Sequence, residues 1–263
     1  MASLLVALRR EYSRLMKVAY QTDIGHQRKQ NQDRVAVFTN KFGNQLLVIA
    51  DGIGGNRSGD IAAEQTVTIL GDQFKNRPPR TTMDGIRWFA RETQSINDQI
   101  LSQSKHNLQM QGMGTTMVAV AAITFNNAVV VANIGDSRGY ILHQNLLTQI
   151  TVDHSLVNEL VKTGDISEDE ALKLPQSNII TRAIGISPDA QIEVNRFELN
   201  HGDQLLMCSD GLFKTVAKDQ IIKVLELPIP LEEKCAQLVK MANDAGGPDN
   251  ITVLIGINSD QEG

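Results

Sequence analysis

Cysteine is scarce. Cys208 and Cys235 are the only two in 263 residues, which excludes a disulfide-stapled fold and fits a reducing cytoplasmic setting. Cys208 lies in an apolar strand-like run and Cys235 on a helix face, where each reads as a core residue. No apolar run is long enough to span a bilayer, so stable membrane insertion is not expected. No basic tract occurs, and Lys+Arg 25 against Asp+Glu 30 gives a net charge of −5. Nucleic acid is therefore not an expected partner. Histidine is sparse too: His26, His106, His143, His154 and His201 are scattered without zinc spacing and read as surface or turn residues.

What is present suits one large domain. The 41% hydrophobic content supplies a full core at this length. Residues 1–15 carry a helical stripe of Leu4, Leu5, Leu8 and Leu15, but Arg9-Arg10 follow the apolar part, the wrong order for a signal peptide. They read as an extension outside the fold, with an amphipathic membrane contact as the other reading. The domain runs from 16 to 258. Strand signals recur at 35–39, 46–50, 116–123, 128–134, 140–143, 192–198, 204–209 and 251–257, and Met16-Lys17-Val18 opens another. Asn126-Asn127 and His143-Gln144-Asn145 read as hairpin turns, and such short connections make the sheets antiparallel.

Helical stripes lie between the strand groups. They are Ala63, Val67, Leu70 and Phe74; Ile86, Ala90, Thr93, Asn97 and Ile100 after a cap at Thr82; and Leu231, Cys235, Leu238 and Ala242, stopped by Gly246-Gly247-Pro248. Ser167-Glu168-Asp169-Glu170 is a capping box inside a stretch of short helices and loop at 155–182. The expected architecture is one α+β domain with paired sheets inside and helices outside.

Against this background one pattern repeats. Three apolar strands run into an aspartate: 46–50 into Asp51-Gly52-Ile53-Gly54-Gly55, 129–135 into Asp136-Ser137-Arg138, and 205–209 into Asp210-Gly211. A fourth, Asp249 in Gly246-Gly247-Pro248-Asp249-Asn250, precedes the strand at 251–257. Each Asp-Gly alone also reads as a hairpin turn. Together they supply carboxylates and a glycine carbonyl, a hard-oxygen set suited to Mg²⁺ or Mn²⁺ rather than Zn²⁺. Two such cations sharing a carboxylate can hold a bridging hydroxide that attacks phosphorus in line. Arg28 is the candidate cation for the phosphate, because a guanidinium fork matches its oxygens; a solvated surface arginine is the plainer reading.

Other phosphoryl chemistries fail on the letters. There is no Gly-x-x-x-x-Gly-Lys-Ser/Thr loop. The sixth residue after Cys208 is Lys214 and after Cys235 is Met241, so no Cys-x5-Arg loop exists. The second residue after Asp51 is Ile53 rather than Asp, so the Asp-x-Asp of a phosphoaspartate enzyme is missing.

In order, the chain carries Arg28, Asn31-Gln32-Asp33, Asp51-Gly52-Ile53-Gly54-Gly55, Gly112-Met113-Gly114-Thr115-Thr116, Gly135-Asp136-Ser137-Arg138, Asp153-His154-Ser155, Ser209-Asp210-Gly211 and Asp249-Asn250-Ile251-Thr252. This set resembles the metal-dependent type 2C serine/threonine protein phosphatase family, especially its small bacterial members, over nearly the whole chain. The resemblance implies two antiparallel sheets packed as a sandwich flanked by helices, four layers in the order α-β-β-α. It implies two Mn²⁺ or Mg²⁺ ions and a weaker third. Asp51 would bridge the two metals, the Gly52 carbonyl would bind the second, and Asp210 and Asp249 would complete the first. Asp33 would support the centre, Asp136 with Asp210 would hold the third ion, and Arg28 would hold the phosphate. Residues 155–182 would form a flap.

Two departures stand out. Gln32 replaces a Glu common in the family, and Ile53 replaces a His of eukaryotic members that is a proposed general acid. The expected activity is hydrolysis of phosphoserine and phosphothreonine in proteins, with a bacterial serine/threonine kinase and its substrates as partners and a monomer as the expected state. The rivals are a non-catalytic regulatory module on the same fold and a hydrolase of small phosphate esters.

Overall fold

The computed structural model describes residues 15–54, 58–123, 128–167, 170 and 179–258. In chain order the strands are β1 (Lys17–Asp23), β2 (Asp33–Thr39), β3 (Gln45–Ile53), β4 (Gly114–Thr115), β5 (Met117–Ala122), β6 (Ala128–Ile134), β7 (Arg138–His143), β8 (Leu146–Gln149), β9 (Glu193–Glu198), β10 (Gln204–Cys208) and β11 (Ile251–Ile257). The helices are α1 (Gly59–Asn76), α2 (Thr82–His106), α3 (Leu156–Thr163), α4 (Asp210–Phe213), α5 (Lys218–Glu226) and α6 (Leu231–Asp244).

The strands form two sheets, β1-β11-β10-β7-β8 and β2-β3-β5-β6-β9, with β4 paired to the end of β3. Every strand pair is antiparallel, as the short connections predict. The sheets face each other through Leu47, Ile49, Val118 and Val120 on one side and Leu205, Met207 and Leu254 on the other. Alternate residues point the opposite way. Leu46, Val48, Ala119 and Ala121 pack under Val67, Leu70 and Phe74 of α1 and Trp88 and Phe89 of α2. Leu206, Cys208, Val253 and Ile255 pack under Leu212, Ile221, Cys235 and Leu238 of α4, α5 and α6. Strands covered on both faces need apolar residues at every position, which is why β3, β5 and β6 read as unbroken runs. The four layers α-β-β-α expected from the sequence are the ones observed.

Several local details differ from the sequence reading. The run expected at 116–123 is narrowed to β5, which begins at Met117, and the short β4 before it pairs Thr115 with Gly52. The α2 cap is Thr81, whose Oγ1 accepts from Asp84 N at 3.1 Å, one residue before the expected Thr82. β8, α4 and α5 have no counterpart in the sequence reading; each is short, so periodicity carries little signal. His154, expected in a turn or at the surface, is buried. The Ser167 box does form: Ser167 N donates to Glu170 Oε2 at 2.8 Å and Glu170 N to Ser167 Oγ at 3.3 Å. The Leu4, Leu5 and Leu8 stripe, the Asn126-Asn127 turn and residues 171–178 lie outside the described residues. Met16 N donates to Gln45 Oε1 at 2.7 Å. Among the described residues no helix is long and apolar enough to cross a membrane.

The β7–β8 turn has both central residues left-handed, Gln144 at φ 45° and Asn145 at φ 68°, between the paired His143 and Leu146. That is the type I′ hairpin, for which Asn-Gly is the preferred pair. Replacing both residues, Gln144→Asn with Asn145→Gly, should raise stability by about 1 kcal/mol and the melting temperature by roughly 2–4 °C at this chain length. Calorimetry showing a lower melting temperature would contradict this turn geometry.

Candidate metal and phosphate site

Antiparallel pairing brings the aspartates together. The start of β2 and the far part of β3 are adjacent, with Asp33 opposite Asp51. The end of β10 lies beside the start of β7 and the start of β11. Asp136 precedes β7, Asp210 follows β10, and Asp249 precedes β11, so all five carboxylates occupy one end of the sandwich. The loop after β1 carries Arg28 to the same end. The sequence reading places Asp51 just past its strand, but β3 continues through Asp51 to Ile53.

The backbone around Asp51 is clamped. Asp51 N donates to Thr116 Oγ1 at 3.1 Å, and Asp51 O accepts from Thr116 N at 2.8 Å and Thr115 Oγ1 at 2.9 Å. Gly52 lies so close to Gly59 at the start of α1 that a Cβ on Gly52 would meet the Gly59 carbonyl at 2.4 Å. Gly211 is equally constrained, since its Cβ would meet Asn250 O at 2.1 Å. These glycines let three loops converge where side chains would hold them apart.

Hydroxyls organise Asp33. Its Oδ2 accepts from Ser209 Oγ and Thr252 Oγ1, each at 2.7 Å. Thr252 Oγ1 gives its proton to Asp33, so Thr22 Oγ1 is the donor in the 2.8 Å Thr22–Thr252 contact, and Asn31 Nδ2 in turn donates to Thr22 Oγ1 at 2.9 Å. Burial pushes the Asp33 carboxyl up to about 7 despite those hydroxyls. Burial, then the charges of Asp33, Asp210, Asp136 and Asp249, raise Asp51 well above the usual carboxylate range. Burial and Asp210 raise Asp136 to about 6.

Two cations lie against this acidic end. Arg28 Nη2 donates to Asp249 Oδ2 at 2.6 Å, and that hydrogen bond raises its pKa. Lys214 Nζ lies 2.6 Å from Asp210 Oδ2 and 3.6 Å from Asp136 Oδ2. Among the described residues no three Asp, Glu, His or Cys side chains stand together as a compact cation cage; Asp249 and Asp210 are bonded to Arg28 and Lys214. The donor chemistry still fits a hard cation. Asp136 Oδ1 and Asp210 Oδ1 are buried acceptors without a hydrogen-bond partner, and every charged donor is oxygen.

A second tier fixes the loops. Arg138 grips Asp153 with Nε and Nη2 at 3.0 and 2.6 Å and stacks on the Phe213 ring at 3.6 Å, tying β7 to α4. His154 Nδ1 accepts from Gly135 N at 3.1 Å, so its proton sits on Nε2, 3.4 Å from Glu193. Burial lowers the His154 pKa, keeping the ring neutral.

Residues 23–252 match the model of the protein phosphatase 2C family. The chain belongs to the protein phosphatase 2C family. It is 41% identical over 241 residues to the serine/threonine phosphatase Stp of Listeria welshimeri, covering 91% of this chain and 95% of that one. It is 39% identical to protein phosphatase PhpP of Streptococcus pneumoniae, covering 93% and 99%. Among solved structures, the Streptococcus agalactiae serine/threonine phosphatase superposes with a TM-score of 0.88 at 38% identity, covering 92% and 99%. The catalytic domain of PstP in complex with two manganese ions superposes with a TM-score of 0.81 at 31% identity, covering 94% and 99%.

In this 2C-family chain, the structure places Asp33, Asp51, Asp136, Asp210 and Asp249 at one end of the sandwich and Arg28 on Asp249. The sequence reading missed the hydroxyls of Thr22, Ser209 and Thr252 and the role of Lys214. Lys214 had a usable signal, four residues after Asp210 on a helical turn.

The raised carboxyls set a pH dependence. A carboxyl whose folded pKa lies above its unfolded value binds more protons when folded, so its contribution falls as pH rises. For Asp33, moved from 3.8 to about 7, that window is pH 4 to 7. In chelator, Asp33→Asn should gain stability relative to the native chain across this window. Urea unfolding that shows a constant difference between the two from pH 4 to 8 would contradict it.

Proposed function

We propose that this protein is a metal-dependent phosphatase that removes phosphate from phosphoserine and phosphothreonine in proteins, opposing a bacterial serine/threonine kinase. The observation that carries this reading is the meeting of Asp33, Asp51, Asp136, Asp210 and Asp249 at one end of the sandwich, with unpartnered oxygens on Asp136 and Asp210 and with Arg28 on Asp249. The printed names of the 2C-family relatives support it. Asp51, the Gly52 carbonyl, Asp210 and Asp249 would hold two divalent cations, Mn²⁺ or Mg²⁺. Asp33, fixed by Ser209 and Thr252, would hold the charge balance of that centre. Asp136 with Asp210 would take a weaker third. Divalent cations there supply acidified water, as nucleophile and as proton source, and neutralise charge on the phosphoryl group.

The chain's own groups do the rest. Arg28 is half exposed on the loop after β1 and can exchange Asp249 for two phosphate oxygens, which its guanidinium matches in a bidentate grip. Ile53 has no proton to give, so the leaving seryl or threonyl oxygen is protonated from solvent. The clamp of Thr115 and Thr116 fixes the backbone at Asp51, so its carboxylate is preset for the cations it would hold. In the stretch at 155–182, α3 is capped by Ser155 and closed by Gly164 at φ 80°, the Ser155–Ile180 bridge ties its start to its end, and just beyond it Ile184 pairs with Thr115. The stretch would shape access for a peptide as a flap.

Phosphate release from a phosphothreonine peptide, with Mn²⁺ or Mg²⁺ and with chelator, tests the reading. Activity should require the ion. Asp51→Asn should cost roughly a hundredfold or more, because cations in such sites are worth several kcal/mol. Near-native turnover of that variant would sink the metal reading. Arg28→Ala should cost about 2–3 kcal/mol, read mainly in kcat/KM on the peptide. Unchanged kinetics would mean that another cation holds the phosphate. Turnover of p-nitrophenyl phosphate with none on the peptide would instead favour a hydrolase of small phosphate esters.

A further inference from the structure

Lys214 follows α4 directly, and its backbone N–H donates to Asp210 O at 3.0 Å. One helical turn separates the two residues, so the lysine side chain reaches back along the face that carries Asp210. Its ammonium lies 2.6 Å from Asp210 Oδ2 and 3.6 Å from Asp136 Oδ2. The remaining oxygens of the pair, Asp210 Oδ1 and Asp136 Oδ1, are buried without hydrogen-bond partners. Two carboxylates from different strand junctions therefore share one tethered positive charge. The backbone that carries it is pinned, because Phe213 lies against the Arg138 guanidinium at 3.6 Å. The side chain is 29% exposed and hangs on a flexible four-carbon stem.

We propose that Lys214 is an internal competitor for the cation position between Asp136 and Asp210, so that its ammonium and a divalent ion exclude each other there. The inference rests on the metal-dependent reading above. A +2 ion drawn to the unpartnered Oδ1 atoms of the same two carboxylates meets the repulsion of the ammonium held at their Oδ2 atoms, and that repulsion is relieved when the lysine swings out to solvent. The cost of that displacement falls on this position first, since the Lys214 ammonium lies against both Asp136 and Asp210. The ammonium thereby offsets half of the pair's charge at low metal, and the pair becomes a weak divalent site at high metal. Lys214 sets the concentration at which the change occurs.

The test is a Mn²⁺ titration of chelator-stripped protein, reading free Mn²⁺ by electron paramagnetic resonance, for the native chain, Lys214→Met, Lys214→Gln and Lys214→Arg. Gln keeps a donor without charge and serves if Met fails to fold. In the Met and Gln variants a weaker class of bound Mn²⁺ should appear, or tighten by roughly tenfold, with the number of tighter ions unchanged. Arg, which keeps the charge, should titrate like the native chain. A metal-free readout accompanies it. In chelator, Met and Gln should unfold at lower urea than the native chain, because Asp136 and Asp210 lose their counter-charge, and Mn²⁺ should close that gap. Four superimposable Mn²⁺ isotherms would overturn the proposal. So would weaker Mn²⁺ binding in Met and Gln, which would make Lys214 a positioner of the carboxylates. If neither the native chain nor any variant binds Mn²⁺, the metal reading itself falls and takes this inference with it.

Discussion

Five carboxylates held at one end of a packed sandwich repel one another, and the arrangement exists only because cations and donors neutralise them. Burial and mutual repulsion push Asp33, Asp51 and Asp136 above their ordinary pKa values. An acidic cluster of this kind costs stability, so it marks a place where charge is kept for use. Arg28 and Lys214 supply part of the counter-charge from side chains. A hard divalent cation supplies it more compactly, since one ion can touch several oxygens that a guanidinium or ammonium reaches only one or two at a time.

The rest of the fold holds these groups in spite of their repulsion. Two apolar layers bury both faces of β3 and β5, so the strands cannot separate at their acidic ends without opening the core. Glycines at 52, 59 and 211 remove the side chains that would otherwise stand between the converging loops. The hydroxyls of Thr115, Thr116, Ser209 and Thr252 are neutral donors and acceptors, able to fix backbone and carboxylate without adding charge. Arg138, bonded to Asp153 and stacked on Phe213, carries that rigidity to α4 and so to Asp210 and Lys214. Mobility is left to the two exposed cations, whose movement away from the carboxylates substrate and metal would require.

Much of this was legible in the letters. Runs such as Leu46 to Ala50 are apolar at every position because both faces are buried, so the central strands could be read and their antiparallel order followed from short turns. Asp51, Asp136 and Asp210 were legible because each was read where an apolar run stops, a place where chemistry is visible against packing; Asp249 precedes such a run, and Asp33 was read only from the family resemblance. β8 and α5 were not, since a four-residue strand and a nine-residue helix give too few repeats of either period. The Asp33 hydroxyls were hidden for another reason. Ser209, Thr252 and Thr22 are far apart in sequence, and threonine in a strand looks like an ordinary β-former until the register places it beside a carboxylate. Lys214 was hidden because its role depends on a neighbour from another strand junction, Asp136, as much as on Asp210 one turn away.

The central claim is that this acidic end is a divalent-metal centre from which Arg28 is displaced. A crystal structure grown with Mn²⁺, with anomalous scattering recorded at the manganese edge, tests it most directly. The account predicts two strong peaks within about 2.0–2.4 Å of carboxylate oxygens of Asp51, Asp210 and Asp249, with Arg28 turned away from Asp249 toward solvent or a bound phosphate. Peaks absent from this end, with Arg28 still bonded to Asp249 at saturating Mn²⁺, would contradict it.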